Sequence, residues 1–180
     1  MDWAETIVTA LREAEVRLLT VVPDEMLIPL IARARADEGF TTVIATREEE
    51  AFGIASGAFL GGMRAALLMQ SSGFGNSVNA LASLVTPYQL PVPFFISERG
   101  VLGEFNAVQV PMSRVLRPAL DALGIPHVTL ARPDELAFLT SRTLAQCYRT
   151  NLPAALLLSP QLTGGKTDRI GARPTERNVQ

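Results

Sequence analysis

One stretch, residues 46–76, constrains the fold of this chain more than any other. It holds an acidic cluster, a helix rich in small residues, an apolar strand at 65–69 and a glycine turn that opens a second helix. Glycine in a helix interior costs up to about 1 kcal/mol relative to alanine. A helix that keeps so many small residues therefore indicates close approach by another backbone or by a flat ligand. Glycines and hydroxyls at the carboxyl end of a strand are also typical of ligand sites in α/β folds.

The rest of the chain alternates apolar strands with helices. Because the strands are almost continuously apolar, they predict a parallel sheet covered on both faces. We therefore expect one three-layer α/β/α domain with a six-stranded, mostly parallel sheet over residues 1–160, and a polar tail or arm over 161–180. The predicted strands are 17–22, 41–45, 65–69, 92–97, 127–130 and 154–159. The predicted helices cover 3–15, a segment capped by Asp24 and ending at Ala36, 48–60, a segment containing 78–85, 113–123 and 133–149.

Composition excludes several classes of protein. The chain has 180 residues, of which 48% are hydrophobic, enough for one domain with a sizeable core. A net charge of −2 argues against a nucleic-acid surface. The single cysteine, Cys147, rules out an intramolecular disulfide and fits a reducing compartment. Without a signal pattern or an apolar run of about 18 residues, we expect a cytoplasmic protein with no membrane contact.

Three stretches resemble the pyrimidine-binding (PYR) domain of thiamine diphosphate-dependent enzymes. They are TREEEAFGIASGAFLGG, LLMQSSGFGNSVNALASL and the ERG…QVPMSR segment. Within that family they resemble most the sulfopyruvate decarboxylase alpha subunit and phosphonopyruvate decarboxylase. The resemblance implies a thiamine diphosphate-binding fold of the PYR type. It also implies a carboxy-lyase that converts sulfopyruvate to sulfoacetaldehyde and CO₂, a step of coenzyme M biosynthesis, with phosphonopyruvate as the second substrate candidate.

The resemblance assigns the central chemical role to Glu48. The family's glutamate, which hydrogen-bonds the pyrimidine ring nitrogen N1′ of thiamine diphosphate, falls on this residue. Glu49 and Glu50 cannot face the same ligand, because successive helix positions point about 100° apart. Taken without the resemblance, the three glutamates fit equally well as anions at a helix N-terminus, where the macrodipole favours them.

The glycine turn after the third strand is the second predicted cofactor contact. Gly73 would allow close approach, Phe74 would pack against the pyrimidine, and Asn76 would hold the turn, with Ser72 beside them. An ordinary strand-to-helix turn would explain the same residues. A phosphate cradle is not indicated, since the sequence has no GxGxxG or GK[ST] pattern.

Four residues at predicted strand ends are candidates for substrate binding. They are Pro23 and Asp24 after the first strand, Gln70 after the third, and Arg99 after the fourth. A guanidinium fork matches the tetrahedral anion of a sulfonate or phosphonate. The alternatives are that Asp24 only caps a helix and that Arg99 forms a surface salt bridge with Glu98 or Glu104.

The sequence lacks the GDG…N motif with which the family's other half, the PP domain, holds Mg²⁺ and the cofactor diphosphate. No histidine or cysteine cluster predicts a metal site, and His127 fits a structural role at a strand start. The resemblance thus implies a separate PP-domain (beta) subunit that holds Mg²⁺, in a hetero-oligomer with at least two copies of each chain.

A stripe of Gly53, Gly57 and Gly61 predicts a subunit interface, or close packing of that helix on its own sheet. Three other functions stay open: carboligation, a non-catalytic PYR-like scaffold or regulatory subunit, and a flavodoxin-like nucleotide binder. The last is disfavoured, because VVPDEM after the first strand has no glycine.

Overall fold

Six parallel strands form one sheet in the structure, a computed structural model that describes residues 2–165. The strand order is β2-β1-β3-β4-β6-β5, and every neighbouring pair is parallel. The prediction of a mostly parallel six-stranded sheet is confirmed. The strands are β1 (Leu18–Val21), β2 (Thr41–Ile44), β3 (Ala65–Gln70), β4 (Pro93–Ser97), β5 (His127–Leu130) and β6 (Ala154–Leu158).

Helices cover both faces of this sheet. They are α1 (Trp3–Glu13), α2 (Ile28–Ala36), α3 (Glu48–Leu60), α4 (Ser71–Ala80), α5 (Val110–Ala122), α6 (Pro133–Thr150) and α7 (Pro160–Thr163). A 3₁₀ turn capped by Asp24 leads into α2, and a π-helical segment, Leu81–Val85, follows α4. The predicted α/β/α architecture therefore holds.

Alternate strand residues pack against opposite helical layers, which divides the core in two. Leu68 of β3 joins the cluster formed with α1, α2 and α6, whereas its neighbour Leu67 joins the cluster formed with α3, α4 and α5. In the second cluster the rings of Phe52 and Phe94 meet edge to face, with centroids 5.2 Å apart. Since both faces are buried, α3 and α4 are held firmly on the same side of the sheet.

The chain changes direction across the sheet at β1. The chain runs from β1 to β2 on one side and then crosses back to β3 on the other side of β1. In open α/β sheets the crevice beyond the carboxyl ends of two such strands is the usual ligand site. Here that crevice lies where Pro23 and Asp24 follow β1 and where Gln70 ends β3.

The prediction of a turn over residues 70–76 was wrong. Helix α4 begins at Ser71, directly after β3, so Gly73 and Gly75 lie inside its first turns. Glycine at this place lets a side chain approach the backbone closely, and it does not change the direction of the backbone.

Helix α5 also begins three residues earlier than predicted, at Val110, because a proline is tolerated in a first helical turn.

The predicted tail begins inside a short helix. Residues up to Thr163 belong to α7, and Gly164 ends it with a left-handed φ of +88°. Residues 166–180 lie outside the described residues, so the tail itself stays a prediction.

Candidate functional site

Glu48 is the first residue of α3 and is only 7% exposed. Its carboxylate lies against the backbone of Gly73 in α4: a Cβ atom at position 73 would be 2.0 Å from Glu48 Oε1. The side-chain amide of Asn76, one helical turn further on, donates to Oε2 over 3.4 Å. The first turns of two helices thus enclose one carboxylate at the carboxyl edge of the sheet.

The other two glutamates of the cluster point elsewhere, as helix geometry requires. Glu49 pairs with Arg47 over 2.7 Å, and Glu50 accepts a hydrogen bond of 2.7 Å from the backbone amide of Thr46. Both contacts stabilise the start of α3. Of the three glutamates, Glu48 is the buried one.

The Glu48 carboxylate fits a ligand that brings a hydrogen-bonding ring nitrogen. Among residues 2–165, Oε1 receives no hydrogen bond and Glu48 has no cationic partner. Because the residue keeps 7% of its surface exposed, this oxygen is open to a group from outside the chain. A donor from outside the chain would pair with it, and N1′ of the thiamine diphosphate pyrimidine carries such an N–H in its protonated or imino form. The described residues therefore fit this cofactor.

Phe74 does not fit its predicted role. Its ring is fully buried among the core residues beneath α4, because this helix position faces the sheet. The expected contact between this ring and the pyrimidine is not available. Asn76 does not hold a turn either, since it lies within α4 and contacts Glu48 instead.

Ser72 connects the site to the loop after β4. Its hydroxyl donates to Oε1 of Gln109, just before α5. Gln109 was a weaker candidate than Arg99 for contact with the substrate anion, and Glu104 was predicted only as a surface partner of Arg99. The QVPMSR stretch was the available signal for Gln109.

Asp24 is 8% exposed and joins three structural elements. Its Oδ2 accepts from the Ser97 hydroxyl (2.9 Å) and from the Met26 amide (3.2 Å), and its Oδ1 lies 3.6 Å from the Arg99 guanidinium. Asp24 thus caps the 3₁₀ turn that leads into α2, and its buried carboxylate also forms an ion pair with Arg99. Pro23 beside it is exposed at the crevice.

Gln70 ends β3 at the same edge. Its Oε1 is buried and has no hydrogen-bond partner in the described part of the chain. An unpaired buried amide oxygen next to a carboxylate site is a second polar group that a ligand or partner would satisfy. Its substrate-binding role stays a prediction.

Arg99 is buried rather than exposed, which changes the interpretation of its pairing. Its side chain is 6% exposed and contacts Glu104 through two hydrogen bonds of 2.8 and 2.9 Å. These bonds, together with backbone donors from Gly100 and Asn106, lower the pKa of Glu104 to about 2. The salt bridge with Glu104 exists, but it is a buried pair and not a surface one. The predicted contact of Arg99 with substrate stays a prediction.

The glycine stripe of α3 faces away from the sheet. A Cβ atom at Gly53 or Gly57 would meet nothing within 4 Å. Close packing of α3 on its own sheet therefore does not explain these two glycines, and that alternative is wrong. The interface interpretation stays a prediction.

Residues 2–165 contain no group of three or more side chains suited to hold a metal ion. His127 opens β5, with Nδ1 3.3 Å from the Ile125 carbonyl oxygen, as expected of a structural residue. None of the described helices combines the length and apolar character needed to cross a membrane.

Residues 1–101 match the family described as thiamine pyrophosphate enzyme, N-terminal TPP binding domain. The chain belongs to this family. The chain is 40% identical over 151 residues to the sulfopyruvate decarboxylase subunit alpha of Methanocaldococcus jannaschii, covering 84% of this chain and 89% of that one. The subunit alpha from Methanothermobacter thermautotrophicus is 38% identical, with 88% and 96% covered.

In two longer proteins the matching region is only one part of the chain. Phosphonopyruvate decarboxylase from Streptomyces viridochromogenes is 33% identical over 164 residues, which cover 88% of this chain but 40% of that protein. The 2-oxoglutarate:ferredoxin oxidoreductase of Magnetococcus marinus superposes with a TM-score of 0.68 at 11% identity, over 91% of this chain and 29% of that one. This structural likeness confirms the fold.

The Gly73 contact generates a first prediction. Gly73→Ala should displace the Glu48 carboxylate, which is the far end of a flexible side chain, while α4 gains up to about 1 kcal/mol of helix propensity. We expect an unchanged or higher melting temperature and at least a tenfold loss of activity in the assembled enzyme, on the scale of positioned acid–base catalysis. The control is Asn79→Ala, which also raises helix propensity but at an exposed position of the same helix. Full activity of Gly73→Ala would contradict the arrangement.

The Arg99–Glu104 pair generates a second prediction. Its stabilisation is present above the carboxyl's ordinary pKa of 4.5 and is lost as pH falls through about 2. The difference corresponds to about 3 kcal/mol of unfolding free energy. Glu104→Gln should therefore flatten the pH dependence of urea unfolding between pH 4.5 and 2. The control is Asp134→Asn, which removes the exposed Arg132–Asp134 pair and should change little. Equal slopes for wild type and Glu104→Gln would contradict the prediction.

Proposed function

We propose that this chain is the PYR-domain (alpha) subunit of a two-subunit, thiamine diphosphate-dependent 2-oxoacid decarboxylase. The reaction is the conversion of sulfopyruvate to sulfoacetaldehyde and CO₂. One observation carries the proposal: a buried carboxylate, Glu48, has an oxygen without a donor at the sheet edge where this family binds its cofactor. Similarity to sulfopyruvate decarboxylase alpha subunits over 84% of the chain supports the substrate.

Glu48 would hold and move a proton at N1′ of the bound pyrimidine. Thiamine diphosphate, when bound, supplies the electron sink for loss of CO₂. Gly73 lets the carboxylate lie close to α4, and Asn76 fixes the orientation of Oε2. Because the carboxylate is removed from water, its hydrogen bond to the ring nitrogen is strengthened.

The substrate would enter the crevice bordered by Pro23, Asp24, Gln70 and Arg99. Within this chain Asp24 and Glu104 place two carboxylates around the single guanidinium of Arg99. A doubly anionic 2-oxoacid needs more positive charge than this group offers. We therefore assign part of the substrate's charge neutralisation to the partner subunit.

The partner is a separate PP-domain (beta) subunit that holds Mg²⁺ and the cofactor diphosphate. The name subunit alpha, carried by relatives of nearly this length, supports a second chain. The assembly would contain at least two copies of each chain. The open glycine face of α3 would lie at or beneath a subunit contact. A cytoplasmic location and a role in coenzyme M biosynthesis are part of the same proposal.

Phosphonopyruvate is the second substrate candidate. The observation that favours it is the 33% identity to the Streptomyces viridochromogenes enzyme across 88% of this chain. Phosphonate and sulfonate are both tetrahedral anions. A site that separates them would therefore have to distinguish them by charge rather than by shape. A purely scaffolding subunit would not require a buried Glu48 with one carboxylate oxygen left without a donor.

Mixing experiments test dependence on a partner. The purified chain with thiamine diphosphate and Mg²⁺ should release no CO₂ from sulfopyruvate, because the GDG…N half of the site is missing. Activity should appear when a subunit with that motif, encoded beside this chain, is added. Comparison of sulfopyruvate, phosphonopyruvate and pyruvate by kcat/KM then identifies the substrate. Turnover by the isolated chain would overturn the split-enzyme proposal.

Substitutions in the acidic cluster test the role of Glu48. Glu48→Gln preserves size but cannot share a proton with N1′, so we expect assembly to persist while kcat falls by about 10²-fold or more. The matched control is Glu50→Gln, because Glu50 contacts the Thr46 backbone amide. That variant should lose only a little stability. Equal kinetic losses in the two variants would refute the assignment.

A further inference from the structure

A single carboxylate shapes the loop between β4 and α5. Glu104 binds the Arg99 guanidinium through both oxygens and also accepts from the backbone amides of Gly100 and Asn106. At the other end of Arg99, the backbone amide donates to the Ser71 hydroxyl over 2.9 Å. Residues 99–106 are therefore folded around one buried ion pair and attached to the start of α4. We call this unit, Arg99 with Glu104, the loop clasp.

The loop clasp determines where Gln109 lies. Gly100 has φ +73°, and a Cβ atom there would be 2.2 Å from the Gln109 carbonyl oxygen. A glycine with this conformation lets the backbone at 109 pack directly against the turn. The Ser113 hydroxyl, which donates to the Gly100 carbonyl over 2.9 Å, holds the first turn of α5 to the same point.

Gln109 reaches the residue next to the Glu48 contact. Its Oε1 accepts from the Ser72 hydroxyl, and Ser72 precedes Gly73, against which the Glu48 carboxylate packs. With Oε1 directed to Ser72, the Nε2 donors have no partner among residues 2–165. The amide of Asn76 is already used on Glu48, and the guanidinium of Arg99 is used on Glu104. Gln109 thus offers donors free of a competing carboxylate.

We propose that Gln109 is a specificity-determining residue that donates from Nε2 to the terminal oxyanion of the 2-oxoacid, and that Arg99 and Glu104 are positioning residues that act through the loop. The inference rests on the proposed function. Sulfopyruvate and phosphonopyruvate differ from pyruvate by this terminal oxyanion, so a donor directed at it separates them from simple 2-oxoacids. A hydrogen bond to a charged group is stronger than one between neutral groups.

The experiment measures KM and kcat of the assembled enzyme with sulfopyruvate and with pyruvate. Gln109→Ala should raise KM for sulfopyruvate about tenfold with kcat within about twofold, since it removes binding common to ground and transition states. kcat/KM for pyruvate should stay unchanged. Gln109→Glu, which is similar in size but repels an anion, should raise KM for sulfopyruvate further. The matched control is Gln146→Ala, at an exposed position on α6.

Glu104→Gln separates positioning from direct contact by Arg99. If the loop clasp acts through Gln109, this variant should raise KM for sulfopyruvate. Adding Gln109→Ala to it should then raise KM little further. If Arg99 itself binds the anion, removal of the competing Glu104 charge should lower KM, which would overturn the positioning role. Circular dichroism checks that each variant is folded.

The remaining outcomes are also decisive. A wild-type assembly that decarboxylates sulfopyruvate, together with unchanged kinetics of Gln109→Ala, overturns the role of Gln109 and leaves the proposed function intact. If Gln109→Ala lowers kcat/KM equally for sulfopyruvate and pyruvate, the specificity claim is overturned, because the Nε2 donor would then bind a group that both substrates share. A wild-type assembly inactive with sulfopyruvate and phosphonopyruvate overturns the proposed function and this inference with it.

Discussion

The contact between the Glu48 carboxylate and the backbone of Gly73 is the constraint on which the site depends. The carboxylate occupies the space that a side chain at position 73 would fill. This requires α3 and α4 to lie side by side on one face of the sheet, with their first turns at the same edge. The packing of Phe52 and Phe94 beneath them supplies that placement. The core and the candidate chemistry are therefore linked through two adjacent helix starts.

Around this contact, the loops at the sheet edge are stabilised by charge rather than by apolar packing. Asp24 after β1, Arg99 after β4 and Glu104 in the following loop form one buried group. A buried ion pair contributes little net stability compared with apolar residues, but loss of one partner leaves a costly unpaired charge. Such a group fixes the loop geometry as long as both partners stay charged. That property suits an edge that must present polar side chains at fixed positions.

Most of the fold could be predicted from the sequence, because apolar strands alternate with helices at short intervals. The separation of Glu48 from its two neighbours followed from helix geometry alone. The start of α4 could not be predicted, since glycines in SGFGN indicate a turn unless one knows that a carboxylate packs against Gly73. The burial of Phe74 depended on which face of α4 meets the sheet. The Arg99–Glu104 pair was considered, but its burial results from the fold of the whole loop.

The helical environment of Gly73 has an evolutionary consequence. Alanine would favour the helix at this position, but its Cβ atom would overlap the Glu48 carboxylate, so we expect glycine to be kept where the carboxylate is kept. The two positions are therefore expected to vary together. In a descendant that has lost Glu48, selection against a side chain at 73 would disappear. The residue at that position would then distinguish working subunits from those that retain only the fold.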